Sequence, residues 1–216
     1  QKILLRGGLV NFILTFHKMS LPWRPQWQSN GKDNDGSMKW AFLGDSYDAV
    51  KRMWRDMLAD WAPLYAAPQF IPGNDLQQAF TRLTRIPMLP GEPAHPYSIL
   101  NDPDTGIRLP GEQNQQEGRT HVTIETIADQ LRHGARCVVT FDQSDYRRSN
   151  LSLGEQHRMK LRFLSRKAGH GFYYVSHAPF LFAAPDAVAL RQLRRILADA
   201  GLPDKRIEDH QGESEP

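Results

Sequence analysis

The sequence predicts an α/β protein, a three-layer sandwich with a mostly parallel sheet and an antiparallel pair of strands near the C-terminus. Three observations carry that expectation. Short apolar runs alternate with longer stretches of helical period along residues 38–208. The segments between them are rich in Pro, Gly, Asn and Asp, which end one element and start the next. Two apolar runs, 171–176 and 180–184, are separated only by His177-Ala178-Pro179, a spacing that suits a hairpin.

Taken in order, "KWAFLGDS" (39–46) reads as a short strand running into a helix start. Asp45 or Ser46 caps that helix, and Asp48 falls in its first turn, where an acid complements the helix dipole. Tyr47, Val50, Trp54, Met57, Leu58 and Trp61 recur at helical spacing, and Pro63 stops the run. A strand is expected over 64–70, ending in the turn "IPGND", with Asn74 or Asp75 capping a helix over 76–85. The Pro-rich connection 86–96 leads to an apolar strand at 97–101. "DPDTG" follows it, then a polar, Gly-rich loop. Thr123 caps a helix that carries Ile124, Ile127, Ala128 and Leu131 on one face. "RCVVTF" (136–141) has the apolar, β-branched character of a buried strand. A basic helix over 155–168 precedes the hairpin. Asp186 caps the last helix, which Gly201 ends. Residues 1–37 read as a tail and linker, 38–208 as a single domain, and 209–216 as a disordered tail.

The 216 residues are 40% hydrophobic and 24% charged, enough for one domain with a real core. The net charge of +3 permits an anionic partner without demanding one. A lone cysteine, Cys137, lies inside an apolar run. It excludes an intramolecular disulfide and a multi-cysteine zinc site, and it suits a reducing, cytoplasmic setting. "GLVNFILTF" (8–16), the apolar patch near the start, is about half the ~20 residues a spanning helix needs, so no membrane segment is expected.

In a parallel sheet, functional groups gather at the carboxyl ends of the strands. Three polar clusters fall at such ends: Asn101-Asp102-Pro103-Asp104, Asp142-Gln143-Ser144 and Ser176-His177. Asp102, Asp104, Asp142 and His177 are therefore the candidate catalytic residues. The three aspartates could together hold a divalent metal such as Mg²⁺, which would make a metal-dependent nuclease or phosphodiesterase. The plain alternative is that Asp, Asn, Pro and Ser only shape turns there, leaving a non-catalytic interaction module. A calcium loop starting at Asp102 fails, because its sixth and twelfth positions are Ile107 and Gln113. A D-x-D-x-T motif fails because Gly106 stands at its threonine. No nucleotide-binding glycine loop, G-x-S-x-G or H-E-x-x-H is present. Charge is concentrated elsewhere: residues 146–195 hold ten Lys/Arg against two acids. Arg158, Arg162 and Arg166 fall on one helix face, and with Arg147 and Arg148 they are candidate phosphate contacts for nucleic acid or another phosphate-bearing ligand.

Two stretches carry a family resemblance. "GDSYDAVKR" (44–52), followed by a helix and a strand, is similar to the segment before the first cofactor strand in the Rossmann-fold adenine methyltransferases of nucleic acid, especially the bacterial 23S rRNA type. "ILNDPDTG" resembles that family's apolar strand ending in Asp/Asn-Pro-Pro-aromatic. There the acid or amide receives the target amino group and the aromatic stacks on the base. Asp102-Pro103 matches the first half; Asp104 replaces the second proline, and Thr105 replaces the aromatic. The resemblance implies a Rossmann-like domain, S-adenosylmethionine held near Gly44, Asp45 and Gly73, and a nucleic-acid substrate. The family's first cofactor strand ends in an acid and a Gly-rich turn, for which this chain offers only Pro72-Gly73-Asn74-Asp75. The set "DPDTGI … FDQS … YYVSHA" also looks like that of a group of bacterial proteins without an assigned chemistry.

Overall fold

The computed structural model describes residues 40–108, 121–143 and 151–209. The chain divides into two units, Gln1–Lys32 and Asp33–Pro216, and the description below is of the second. The described residues form an α/β fold with an open, six-stranded mixed sheet and five α-helices.

The strands are β1 (Leu64–Ala66), β2 (Ser98–Asn101), β3 (Cys137–Phe141), β4 (His170–Tyr174), β5 (Phe180–Ala184) and β6 (Ile207–Glu208), arranged in the order β1-β2-β3-β5-β4-β6. β1, β2 and β3 run parallel, with Ala66 beside Leu100 and Leu100 beside Val139. β5 is antiparallel to both β3 and β4, and β6 is antiparallel to β4. The antiparallel part thus extends beyond the expected hairpin. Because β5 slots between them, β3 and β4 point the same way, so the carboxyl ends of β1 to β4 share one rim.

Side chains alternate across the strands and sort into two cores. Val139, Phe141, Phe172, Phe180 and Phe182 pack on the face covered by α1 (Ser46–Leu58), α2 (Asn74–Thr84) and α5 (Ala187–Asp199). Ile99, Val138, Tyr173 and Leu181 pack on the opposite face, under α3 (Ile124–Arg132) and α4 (Leu153–Arg166). Trp54 of α1 is fully buried, with its ring edge-on to Phe180 and Phe182. Burial of Leu and Phe side chains of this kind stabilises a domain by roughly 1.5–3 kcal/mol each before entropy is charged against it.

Local signals set the helix ends. Asp45 caps α1, accepting the Tyr47 and Asp48 N–H groups. Thr123 caps α3 and Asp186 caps α5. Ser152 and Glu155 close a reciprocal capping box at α4, which starts that helix two residues before the expected 155. Gly73, at φ 81°, precedes α2, so Asn74 is its first helical residue rather than its cap.

The short strand expected at the start of 39–46, ahead of the helix cap, is instead a 3-10 turn, Trp40–Phe42. No strand pairs with it among the described residues; Leu43 and Asp45 donate back to Trp40 and Phe42 within the turn. β1 is shorter than expected because Pro68 opens a second 3-10 turn. Its outer edge is covered by the Pro-rich connection, where Ala66 donates to Pro87 O and accepts from Leu89 N–H. The chain leaving β1 therefore returns on one side at Met88 and crosses to the other as β2. Such a reversal marks the point where open α/β sheets place ligands.

Candidate functional site

Strand alternation decides what the rim residues can do together. Leu100 faces α1, Asn101 faces α3, and Asp102 turns back toward α1. Asn101 exchanges hydrogen bonds with Gln130 at 2.8 Å, which fixes its amide on the α3 side. On β3 the register is offset by one: Phe141 faces α1 and Asp142 faces α4. Asp102 and Asp142 thus leave the same rim on opposite faces of the sheet.

On the first face, Asp102 meets α1. Lys51 Nζ donates to Asp102 Oδ2 at 2.6 Å and to Asp48 Oδ1 at 2.9 Å, and all three side chains are about 5% exposed. The other oxygen of Asp48 accepts the Gly44 N–H at 2.6 Å. Two carboxylates share one ammonium. Burial works against the charge of Lys51, but Asp102 and Asp48 outweigh it and hold the ammonium above its ordinary range. For Asp102, burial raises the proton affinity, and Lys51 offsets it only in part. Both shifts follow from an excess of acid over base in a desolvated place.

Above this cluster opens a cleft of about 140 Å³, floored by Lys51 and Asp102 and walled by Phe42, Tyr47, Pro103 and Phe141, with Asp45, Asp104 and Gln143 also lining it. Tyr47 packs on Phe141 with ring centroids 5.1 Å apart and is stacked on the exposed His177 at 5.7 Å. His177 therefore reaches the cleft through Tyr47 and is not among its walls. Gly44, at φ 87°, supplies the tight turn that enters α1 and binds Asp48. Gly73 has nothing within 4 Å of where a Cβ would sit and does not line the cleft.

On the second face, Asp142 is fully buried. Its Oδ1 accepts the Ile107 N–H at 2.9 Å; its Oδ2 accepts from Lys160 Nζ at 2.7 Å and from Tyr173 Oη at 2.8 Å. Burial alone would raise its proton affinity, yet Lys160 and these donors outweigh it and lower it. Burial and the Asp142 charge push the Tyr173 hydroxyl well above its usual range. Gly106 is required here: at φ 96°, a Cβ on it would stand 2.4 Å from Asp142 Oδ1. Asp142 thus ties the "DPDTGI" turn to β3. His157 stacks on Tyr173 with centroids 3.8 Å apart and pairs through Nδ1 with Glu208 at 2.9 Å.

Among the described residues, no three His, Cys, Asp or Glu side chains are grouped so as to hold a metal ion. Asp102, Asp104 and Asp142 accordingly do not assemble the divalent site that their spacing suggested. Arg158, Arg162 and Arg166 are all exposed on α4, while Arg191 and Arg195 are exposed on α5 across the sheet, so the two basic helices do not make one surface. Arg147 and Arg148 lie outside the described residues.

Lys51, Asp48, Lys160, Tyr47 and Phe42 stand at no strand end and in no catalytic motif that marks a site in the sequence. For Lys51 a signal existed: Asp48, Lys51, Trp54 and Leu58 form one stripe at helical spacing, and it is this stripe that is buried. Comparison with family models, curated proteins and solved structures found no match to the chain.

Proposed function

We propose that the cleft over Asp102 and Lys51 is the active site of a methyltransferase-like enzyme with a Rossmann-like domain, acting on an amino group in nucleic acid. One observation carries this. The two stretches that resemble the adenine methyltransferases, 44–52 and 99–106, are separate in sequence and meet at the 2.6 Å Lys51–Asp102 ion pair. They meet at the carboxyl rim, beside the strand where the chain reverses direction, which is where α/β sheets take ligands.

The residues present suit the charge of S-adenosylmethionine. Asp45 and Asp104 border the cleft, and the exposed ring of Phe42 adds the aromatic surface that an organic cation favours. The end of β1, Ala66-Ala67-Pro68, carries no acid, so Asp45 is the residue assigned to hold the donor. When bound, S-adenosylmethionine would supply an electrophilic methyl group. Asp102 would accept a hydrogen bond from the substrate amine through its carboxylate and take up the proton that the amine sheds. Its burial, which favours the protonated form, suits it to that step. Lys51 would keep the carboxylate oriented. The exposed Arg158 and Arg162 on α4 would contact phosphates at a distance from the chemistry.

The test is calorimetric titration with S-adenosylmethionine, followed by methyl transfer to RNA. The intact chain is expected to bind the donor. Asp102→Asn is expected to keep its fold and lose about 100-fold or more in transfer. No heat of binding at millimolar donor would remove the proposal.

A further inference from the structure

Beyond β1, the outer edge of the sheet is the connection that covers it. Pro87 O and Leu89 N–H both turn inward to Ala66. Strand alternation then turns the N–H and C=O of Met88 outward, and among the described residues neither has a partner. Pro87 and Pro90 bound this open edge and confine it to a single pairing residue, which keeps it from templating a long sheet. Beside it runs a groove of about 450 Å³, with Met88 on one side and α2 on the other. Leu76, Ala79 and Phe80 of α2 are buried against the core. The neighbouring stripe, Asn74, Gln77, Gln78, Thr81 and Arg82, recurs at i, i+3, i+4, i+7 and i+8 and lines the groove. It brings carboxamides, a hydroxyl and a guanidinium together, with no acid and no aromatic ring among the described lining. Gln77 is anchored by its amide on Ile71 O at 2.9 Å, which leaves its side-chain oxygen to accept. Asn74, Gln78 and Arg82 are exposed. No residue lines both this groove and the cleft over Asp102.

We propose that this groove is a docking site for an extended peptide segment of a partner protein, which adds a strand to the sheet at Met88 and sets an acidic side chain on Arg82. Met88 presents one main-chain donor and one acceptor to the incoming strand, the pairing by which a peptide extends a sheet edge. Each carboxamide carries both a donor and an acceptor, so Asn74 and Gln78 can pair with the peptide groups that face the helix. The polar stripe runs roughly 12 Å along the helix axis, about the length of three or four extended residues. Arg82 is the only charged side chain in the lining among the described residues, and a guanidinium without a carboxylate beside it selects for Asp or Glu. With no ring in the wall, a base or another planar heterocycle has no face to stack on. The groove is thus separate from the chemistry of the cleft, and it stands whether or not the cleft transfers a methyl group.

The probe is a displayed library of random linear peptides, selected against the full chain. Enriched peptides are expected to share an Asp or Glu at a fixed position and to bind wild type at micromolar concentrations. Arg82→Glu, an exposed change, is expected to hold the melting temperature within a few degrees. It should weaken these peptides about tenfold or more and prefer their Lys-substituted counterparts. Residue-by-residue N-methylation of one enriched peptide is expected to cost about tenfold at the position whose N–H meets Met88 O. The cost should be smaller at its two neighbours, whose N–H groups meet movable side chains. Hydrogen exchange at the Met88 amide is expected to slow in the same complex. No enrichment over an unrelated control protein would overturn the inference. So would enriched peptides that bind Arg82→Glu unchanged, or that accept N-methylation at every position. A glycan bound by wild type and lost in Arg82→Glu, with no peptide enriched, would also overturn it and assign the groove to carbohydrate.

Discussion

Asp142 and Lys160 have no exposed side-chain surface, and each holds the other's charge in the interior. A buried pair of this kind adds little over an apolar replacement, yet breaking it from one side is costly, because the survivor is left uncompensated. Asp142→Asn is expected to lose about 3–5 kcal/mol in urea unfolding, and Lys160→Met a similar amount. The double variant is expected to recover much of the sum, since the introduced amide oxygen can still accept the Ile107 N–H and no orphaned charge remains. Strictly additive losses would show that the two side chains are not coupled as described. Both aspartates were legible in the sequence as acids at strand ends. What was not legible was their divergence. It depends on a one-residue offset, Asn101 pairing with Thr140, so that Asp102 lies beside Phe141 and Asp142 one step beyond. β2 and β3 are buried on both faces, so neither strand carries the apolar–polar alternation that would mark its register in the sequence.

The helix α4 shows how two faces of one element divide their work. Gln156, His157, Lys160, Leu161 and Leu164 are buried, while Arg158, Arg162 and Arg166 line the exposed side at intervals of four. Helical period made the arginine stripe visible from sequence. A charged residue is ordinarily solvated, so the sequence groups Lys160 with the surface charge; only the proximity of Asp142 reverses that. Likewise, the apolar stripe read along α1 placed Tyr47, Val50 and Met57 inward, whereas they are partly buried around a stripe that contains Asp48 and Lys51. β6, two residues long, carries no periodic signal and exists because β4 offers it an edge. If the α4 stripe contacts phosphates, reversing Arg158, Arg162 and Arg166 to Glu should leave the melting temperature within a few degrees. It should also weaken binding of single-stranded RNA and flatten its log K against log salt plot by about 2, at roughly 0.7 per contact. An unchanged salt slope would assign the stripe to solvent alone.

Over the whole molecule, the pH dependence of stability reports on the acid-rich cluster beneath the cleft. Asp102 faces Lys51, with Asp48 and Asp45 adding negative charge, and its proton affinity in the fold is raised above the unfolded value of about 3.9. A carboxyl raised in this way gives its full stabilisation below the unfolded pKa. That contribution declines as pH rises through the folded one, because the unfolded chain ionises first. Asp142 has the opposite sign: its lowered value adds stability above ~3.9 that is lost as pH falls through the folded pKa. His157, lowered by burial against the pull of Glu208, adds stability above ~6.5 that is lost as pH falls through its own folded pKa. These opposing slopes overlap, so the wild-type curve alone does not isolate Asp102. The difference between wild type and Asp102→Asn does, because Asp142 and His157 lie on the other face and cancel. Lys51 keeps Asp48 as a partner in the variant, so no buried ammonium is orphaned. The stability of wild type relative to Asp102→Asn is therefore expected to fall steadily as pH rises from about 4, measured by urea unfolding at a series of pH values. A difference that instead grows with pH would mean that Lys51 holds Asp102 ionised throughout. The carboxylate could then orient an amine but would be unsuited to take its proton.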